Sequence, residues 1–215
     1  MEISEQTEAW LKNAGYKHYS FISYPKIHSE IAAFAVCVKK EIETQLAATV
    51  HKPHVFVDNV DIEAGSGWED TLSTELCSSV AMVALCVSAY YRSAHRWCGL
   101  EWAAMESLGT RRLRGHALRP IIPVMLRLER PIPEAVLATQ YVEMTAASLT
   151  WERYCNTLAF RRNVKQIVDY IGEVAEALAL NQAVAGNCSA FAFPTQSAFV
   201  GWQPALQQYP LHLRK

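Results

Sequence analysis

The chain predicts a flavodoxin-like three-layer α/β fold, with a central five-stranded parallel sheet between helices, followed by a C-terminal helix and tail. Three observations point there. Short apolar runs alternate with stretches of helical apolar spacing between about residues 16 and 180, the pattern of βαβ units joined by right-handed crossovers. One run, Ala81 to Ser88 (A-M-V-A-L-C-V-S), is almost continuously apolar, as expected of a strand covered on both faces. The 215 residues, 51% apolar and 19% charged, suffice for one substantial domain with an extension.

Residues 1–15 read as an N-terminal extension, 16–180 as the domain and 181–215 as an uncharged, aromatic-containing tail. Tyr19 to Tyr24 (Y-S-F-I-S-Y), closed by Pro25, reads as the first strand. Ser29 to Thr49 follows as a helix, with Ile31, Phe34, Ala35, Val38, Ile42 and Leu46 on one face. His54 to Asp58 (H-V-F-V-D) is the second strand, and a polar loop leads to a short helix, Trp68 to Ser79, with Trp68 as a core anchor. The third strand, Ala81 to Ser88, feeds a third helix. Leu118 to Leu126 forms the fourth strand, but Pro120 and Pro123 cannot donate to a ladder and place it near an edge or make it irregular. Gln140 to Met144 is a short fifth strand. A long helix from about Leu149 to Leu180 closes the domain, with Trp151, Tyr154, Leu158, Val164, Ile167, Tyr170, Ile171 and Val174 near core spacing.

The formal net charge of -1 offers no electrostatic footprint for nucleic acid or anionic lipid. The start, M-E-I-S-E-Q-T-E, lacks the basic region and apolar core of a signal peptide. Ala177 to Trp202 carries no charge, yet its Asn, Gln, Gly and Pro residues argue against a membrane span. Six scattered cysteines without a C-x-x-C pair read as buried thiols in a reducing compartment, so a cytoplasmic location is expected. His51 and His54 have metal-compatible spacing but no companion pair, so no metal site is expected.

Ser93, Trp97 and Glu101 stand four apart and share one helix face. A carboxylate beside an indole, with a hydroxyl one turn earlier, can hold a planar ring and stabilise positive charge beside it. The plainer alternative is a surface helix with a half-buried Trp and a solvated Glu. Topology weighs against it. In such sheets the ligand crevice lies at the carboxyl ends of the strands, between the first and third, and this helix directly follows the third.

Three motifs in order resemble the Toll/interleukin-1 receptor (TIR) domain over roughly Tyr16 to Leu180: F-I-S-Y in the first strand, V-F-V-D-N-V-D-I-E-A-G-S-G-W-E-D at Val55 to Asp70, and S-x-x-x-W-C-x-x-E at Ser93 to Glu101. The resemblance implies one of three roles. The first is cleavage of NAD to nicotinamide and ADP-ribose or a cyclic isomer, in bacterial antiphage immunity and activated by self-association. The second is synthesis of a cyclic or conjugated ADP-ribose signal. The third is a non-catalytic adaptor or scaffold working through TIR–TIR contacts, with an activating sensor or downstream effector protein as further partner.

On the enzymatic reading Glu101 is the catalytic residue, and NAD is the substrate with no separate cofactor. Tyr24, Pro25 and Lys26 match the loop after the first strand, and Asp58, Glu63 and Gly65 the second loop; with Ser93 and Trp97 they are the implied substrate-binding set. Pro25 stands where some members carry Arg. No Walker loop, G-x-G-x-x-G or G-x-S-x-G elbow occurs, so NAD would not be bound in the Rossmann manner. From Ala177 to Leu213 no Asp, Glu, Lys or Arg occurs, while Phe191, Phe193, Phe199, Trp202 and Tyr209 are interspersed. Such a segment suits contact with protein, and control of self-association or of access to the crevice is expected of it.

Overall fold

A computed structural model describes residues 3–26, 29–58, 67–91, 96–126, 136, 139–144 and 150–194. The strands are β1 (His18–Ser23), β2 (Val55–Phe56), β3 (Ser79–Cys86), β4 (Ile121–Met125) and β5 (Val142–Glu143). They form one parallel sheet in the order β2-β1-β3-β4-β5. This is the flavodoxin-like order. Central β1 and β3 are buried along their whole length, which is why their sequences read as runs rather than as alternations.

Among the described residues the α-helices are α1 (Glu5–Asn13), α2 (Ser29–Leu46), α3 (Trp68–Cys77), α4 (Arg96–Arg112), α5 (Trp151–Cys155) and α6 (Leu158–Leu180). On α2 the buried residues are Ile31, Phe34, Ala35, Val38, Ile42 and Leu46, the face expected from spacing. One apolar cluster joins α1, α2, α5 and α6 to the sheet, and a second joins α3 and α4 to it. Two buried layers thus enclose the strands. Among the described residues no helix is long and apolar enough to cross a membrane.

The N-terminal extension contains a helix that its spacing alone did not suggest. Ser4 caps α1 by accepting from the Thr7 N–H at 3.1 Å, and Thr7 Oγ1 donates to Glu176 on α6 at 2.8 Å. Gly15, at φ +90°, then turns the chain towards β1.

Three expectations are corrected, and the place of the β4 prolines is made specific. The closing helix is two helices, because Thr157 caps α6 by accepting from Phe160 N–H and also donates to the Tyr154 carbonyl at 2.7 Å. Phe160 enters the core and Leu158 is left 70% exposed. The prolines leave β4 next to the edge strand β5 and inside the ladder. Leu126 N–H bonds Cys86 of β3 and the Met125 carbonyl bonds Met144, so by strand alternation Pro123 faces β5, whose pairing begins only at Val124. Trp68 is 41% exposed and is no core anchor. Finally, four cysteines are paired, Cys37 with Cys155 and Cys77 with Cys188, leaving Cys86 and Cys98 as buried thiols. The pairs lie 118 and 111 residues apart in sequence, a proximity that no local spacing encodes, and the inference of a reducing compartment loses its support.

Gly109 on α4 meets the Pro120 ring that precedes β4. A Cβ built there would lie 2.4 Å from Pro120 Cδ and 2.7 Å from Cγ, and a ring closed onto the backbone has little freedom to retreat. Gly109→Ala should therefore lower the denaturation midpoint, by about 1–3 kcal/mol of overpacking, although alanine favours an isolated helix by about 1 kcal/mol. An unchanged or raised midpoint in a urea titration would show that α4 can lift away from β4 freely.

Candidate active site

The strand order changes direction between β1 and β3, which opens a crevice at their carboxyl ends. The chain leaving β1 brings Tyr24, Pro25 and Lys26, the chain leaving β2 brings Asp58, α3 brings Trp68 and Leu72, and α4 brings Trp97, Cys98 and Glu101. Together they line a cavity of about 370 Å³, within the range of roughly 300–1,000 Å³ usual for small-molecule sites. Of the residues singled out from sequence, Tyr24, Pro25, Lys26, Asp58, Trp97 and Glu101 are thus brought together. Glu63, Gly65 and Ser93 lie outside the described residues.

Glu101 is 5% exposed, which removes the reading of a solvated surface carboxylate. Its Oε2 accepts a short hydrogen bond from Ser23 Oγ at the end of β1. Ser23 Oγ also lies 2.7 Å from the Tyr90 hydroxyl, which in turn lies 3.5 Å from the Cys98 carbonyl. A hydroxyl has one hydrogen. While Ser23 donates to the carboxylate, Tyr90 must therefore donate to Ser23. Burial pushes the Glu101 pKa up to about 8; the Ser23 hydrogen bond opposes this, the negative charge of Asp58 adds to it, and Lys26 partly offsets it.

On the opposite wall Lys26 forms an ion pair with Asp58 Oδ2 at 2.6 Å. The ammonium end of that pair is exposed, whereas the Asp58 carboxylate is buried. Asp58 Oδ1 and the Tyr24 hydroxyl are buried and make no well-formed hydrogen bond, although the Tyr24 hydroxyl lies beside the Asp58 carboxylate and interacts with it; such loosely satisfied groups favour a ligand that completes them. Burial first, and then the nearby Asp58 charge, hold the Tyr24 hydroxyl well above its ordinary pKa, so it stays a donor. Together Tyr24 and Asp58 form a polar corner of the cavity, a hydroxyl beside a carboxylate, suited to a polyhydroxylated ligand.

Trp97 is half-buried, and its ring meets Trp68 edge-on at 4.5 Å between centroids. The Arg96 guanidinium lies 5.1 Å from its centroid. Cys98 is buried, and burial raises its thiol well above the ordinary value, as suits a packing residue rather than a nucleophile.

Sequence reasoning missed Ser23, Tyr90, Trp68 and Leu72 at this site. Ser23 had a signal: it is a hydroxyl in a strand buried throughout, two residues after Phe21 and so on the same face, where Phe21 packs in the cluster containing Trp102 of α4. Tyr90 had none, since the short 3₁₀ turn Ser88–Tyr91 that carries it has no local signature.

A cavity lined by a buried carboxyl, an indole and the Tyr24–Asp58 polar corner can hold a flat cationic ring and a sugar, and can stabilise positive charge between them. No curated protein and no solved structure shows a match to the chain. A family profile described as TIR domain matches residues 21–158, more than half of the chain. That stretch runs from Phe21 in β1 to the start of α6 and contains every residue lining the cavity, so the chain belongs to the TIR domain family.

Proposed function

We propose that this TIR domain cleaves NAD into nicotinamide and ADP-ribose or its cyclic isomer, with Glu101 as the catalytic residue. The observation that carries the reading is the Glu101 carboxyl, sunk in the cavity and held by Ser23 beside the Trp97 wall. The nicotinamide ring of NAD is already cationic. When the bond from ribose C1′ to the ring nitrogen breaks, the electron pair goes to nicotinamide, which leaves neutral and needs no acid. One carboxylate then suffices, unlike the pair required for an alkoxide leaving group. The ionised Glu101 stabilises the oxocarbenium-like ribose, while Asp58 Oδ1 and the Tyr24 hydroxyl supply partners for ribose hydroxyls. Lys26 offers its charge to the pyrophosphate. Water adding to C1′ gives ADP-ribose and releases one proton; an internal nucleophile gives the cyclic isomer. Self-association through TIR–TIR contacts as the activating event, and a place in bacterial antiphage defence, belong to the same reading and rest on family membership.

The test is incubation of concentrated protein with NAD, followed by chromatography and mass spectrometry. Nicotinamide should appear in equal amount to ADP-ribose plus any cyclic isomer. A folded protein that releases none at any concentration would overturn the reading in favour of a scaffold.

The Ser23 contact makes a separate prediction. Ser23→Ala removes a hydrogen bond to the charged form, typically about 1.5–3 kcal/mol, and so disfavours ionised Glu101. Nicotinamide release at pH 7 should fall by roughly ten- to a hundredfold, and the pH at which kcat/KM levels off should rise. A loss of rate without that upward displacement would mean that Ser23 serves packing alone.

A further inference from the structure

The segment following α6 returns across α3 and brings Phe193 to Trp97 of the candidate site. Its course is fixed by a series of anchors. Tyr16 Oη donates to the Ala183 carbonyl at 2.7 Å, and Ala185 N–H donates to the Ala14 carbonyl at 2.9 Å. The buried Arg112 guanidinium donates to the carbonyls of Ala185 at 2.7 Å and Cys77 at 2.9 Å. Thr74 Oγ1 donates to the Cys188 carbonyl at 3.3 Å, and Cys188 is bonded to Cys77 at the end of α3. From Ser189 to Pro194 the hydrogen bonds among described residues stay within the segment. Beyond the disulfide, it is therefore held by its aromatic side chains.

Phe193 sits edge-on to Trp97, with ring centroids 5.8 Å apart. Trp97 also lines two cavities, the candidate site and a space of about 330 Å³ bordered by Ala192 and Phe193. A half-buried indole that borders open volume in two cavities is not enclosed by dense packing. Among the described residues, Phe193 and Trp68 are the rings that meet it edge-on.

We infer that this segment is a redox latch: the Cys77–Cys188 disulfide holds Phe193 against Trp97 and so fixes the wall of the candidate active site, and a dithiol reductant opens it. A thiolate of the dithiol attacks one sulfur of the pair, and its second thiol resolves the mixed disulfide. Two electrons pass to Cys77 and Cys188, which end as two protonated thiols, while the reductant ends as a disulfide. Phe193 is a positioning residue here, acting through Trp97. The effect on turnover rests on the NAD-cleaving reading; the mechanical coupling does not.

The test uses the full chain carrying Cys37→Ser and Cys155→Ser, so that only the latch responds to dithiothreitol. That other disulfide packs with the α2 and α5 cluster on the opposite face of the sheet. Thiol counting should show one disulfide before reduction and none after. On reduction, amide exchange should quicken both in residues 189–193 and in 96–100, and the KM for NAD should rise roughly three- to tenfold, the value of one aromatic pair, with kcat unchanged. In the otherwise native chain, Cys188→Ser should show the raised KM without reductant, and Phe193→Ala should show it with the disulfide intact. Absence of the disulfide from the oxidised protein, or exchange at 96–100 and KM that ignore its reduction, would overturn the latch. If no form releases nicotinamide, the NAD reading fails on its own, and the exchange at 96–100 still decides the latch.

Discussion

Glu101→Gln should lower kcat/KM for nicotinamide release by at least about 10²–10³-fold, the usual cost of losing one preorganised electrostatic contact at a developing charge. The amide keeps the shape of the side chain and can still accept from Ser23, so what disappears is the negative charge alone. Because burial raises the Glu101 pKa to about 8, the free protein at pH 7 holds this carboxyl protonated by about ten to one. Only the ionised minority is complementary to a ribosyl cation. kcat/KM, which reports the free enzyme, should therefore climb about tenfold per pH unit up to about pH 8 and then level off. Binding of the cationic nicotinamide ring should expel the proton, so the corresponding rise in kcat should lie at lower pH. A kcat/KM profile flat from pH 6 to 9 would remove the charged form of Glu101 from the mechanism.

The legibility of this site divides by the range of the interactions. Strand and helix order followed from runs and periodicities a few residues long, and α2 buries the face its spacing indicates. Trp97 and Glu101 were visible because one helical turn separates them and the topology points their helix at the crevice. The carboxyl's immediate surroundings were not, since Ser23 and Glu101 are 78 residues apart and Ser23 and Tyr90 are 67 apart. A strand hydroxyl does not announce which helix will cross it. The same limit hid the Cys77–Cys188 pair, whose members become neighbours only when the segment after α6 returns across α3. Capping misled locally. Thr157 lies within a run that keeps helical apolar spacing, yet its bonds to Tyr154 and Phe160 end one helix and begin the next, exposing Leu158 where periodicity places it inward.

Glu101→Gln should also stabilise the folded protein at alkaline pH. In the unfolded chain this carboxyl titrates near 4.5, and in the folded one near 8. Between those values the folded state holds the proton more tightly, so stability falls as pH rises through the interval. It is fully present below about 4.5 and levels off at its lower value above about 8. At roughly 1.4 kcal/mol for each pH unit separating the two values, the wild type should lose on the order of 5 kcal/mol across the window from this group. Glutamine has no proton to lose there. Thermal unfolding should place the variant and the wild type close together at pH 5 and separate them by roughly 10 °C at pH 8.5, since 1 kcal/mol moves Tm by about 2–4 °C at this chain length. The remaining titrating groups are common to both proteins, so the difference isolates residue 101. Parallel Tm curves would mean that Glu101 ionises in the fold without penalty, and the pH dependence expected of kcat/KM would lose its cause. A variant that is inactive yet more stable would separate loss of the charge from loss of the fold.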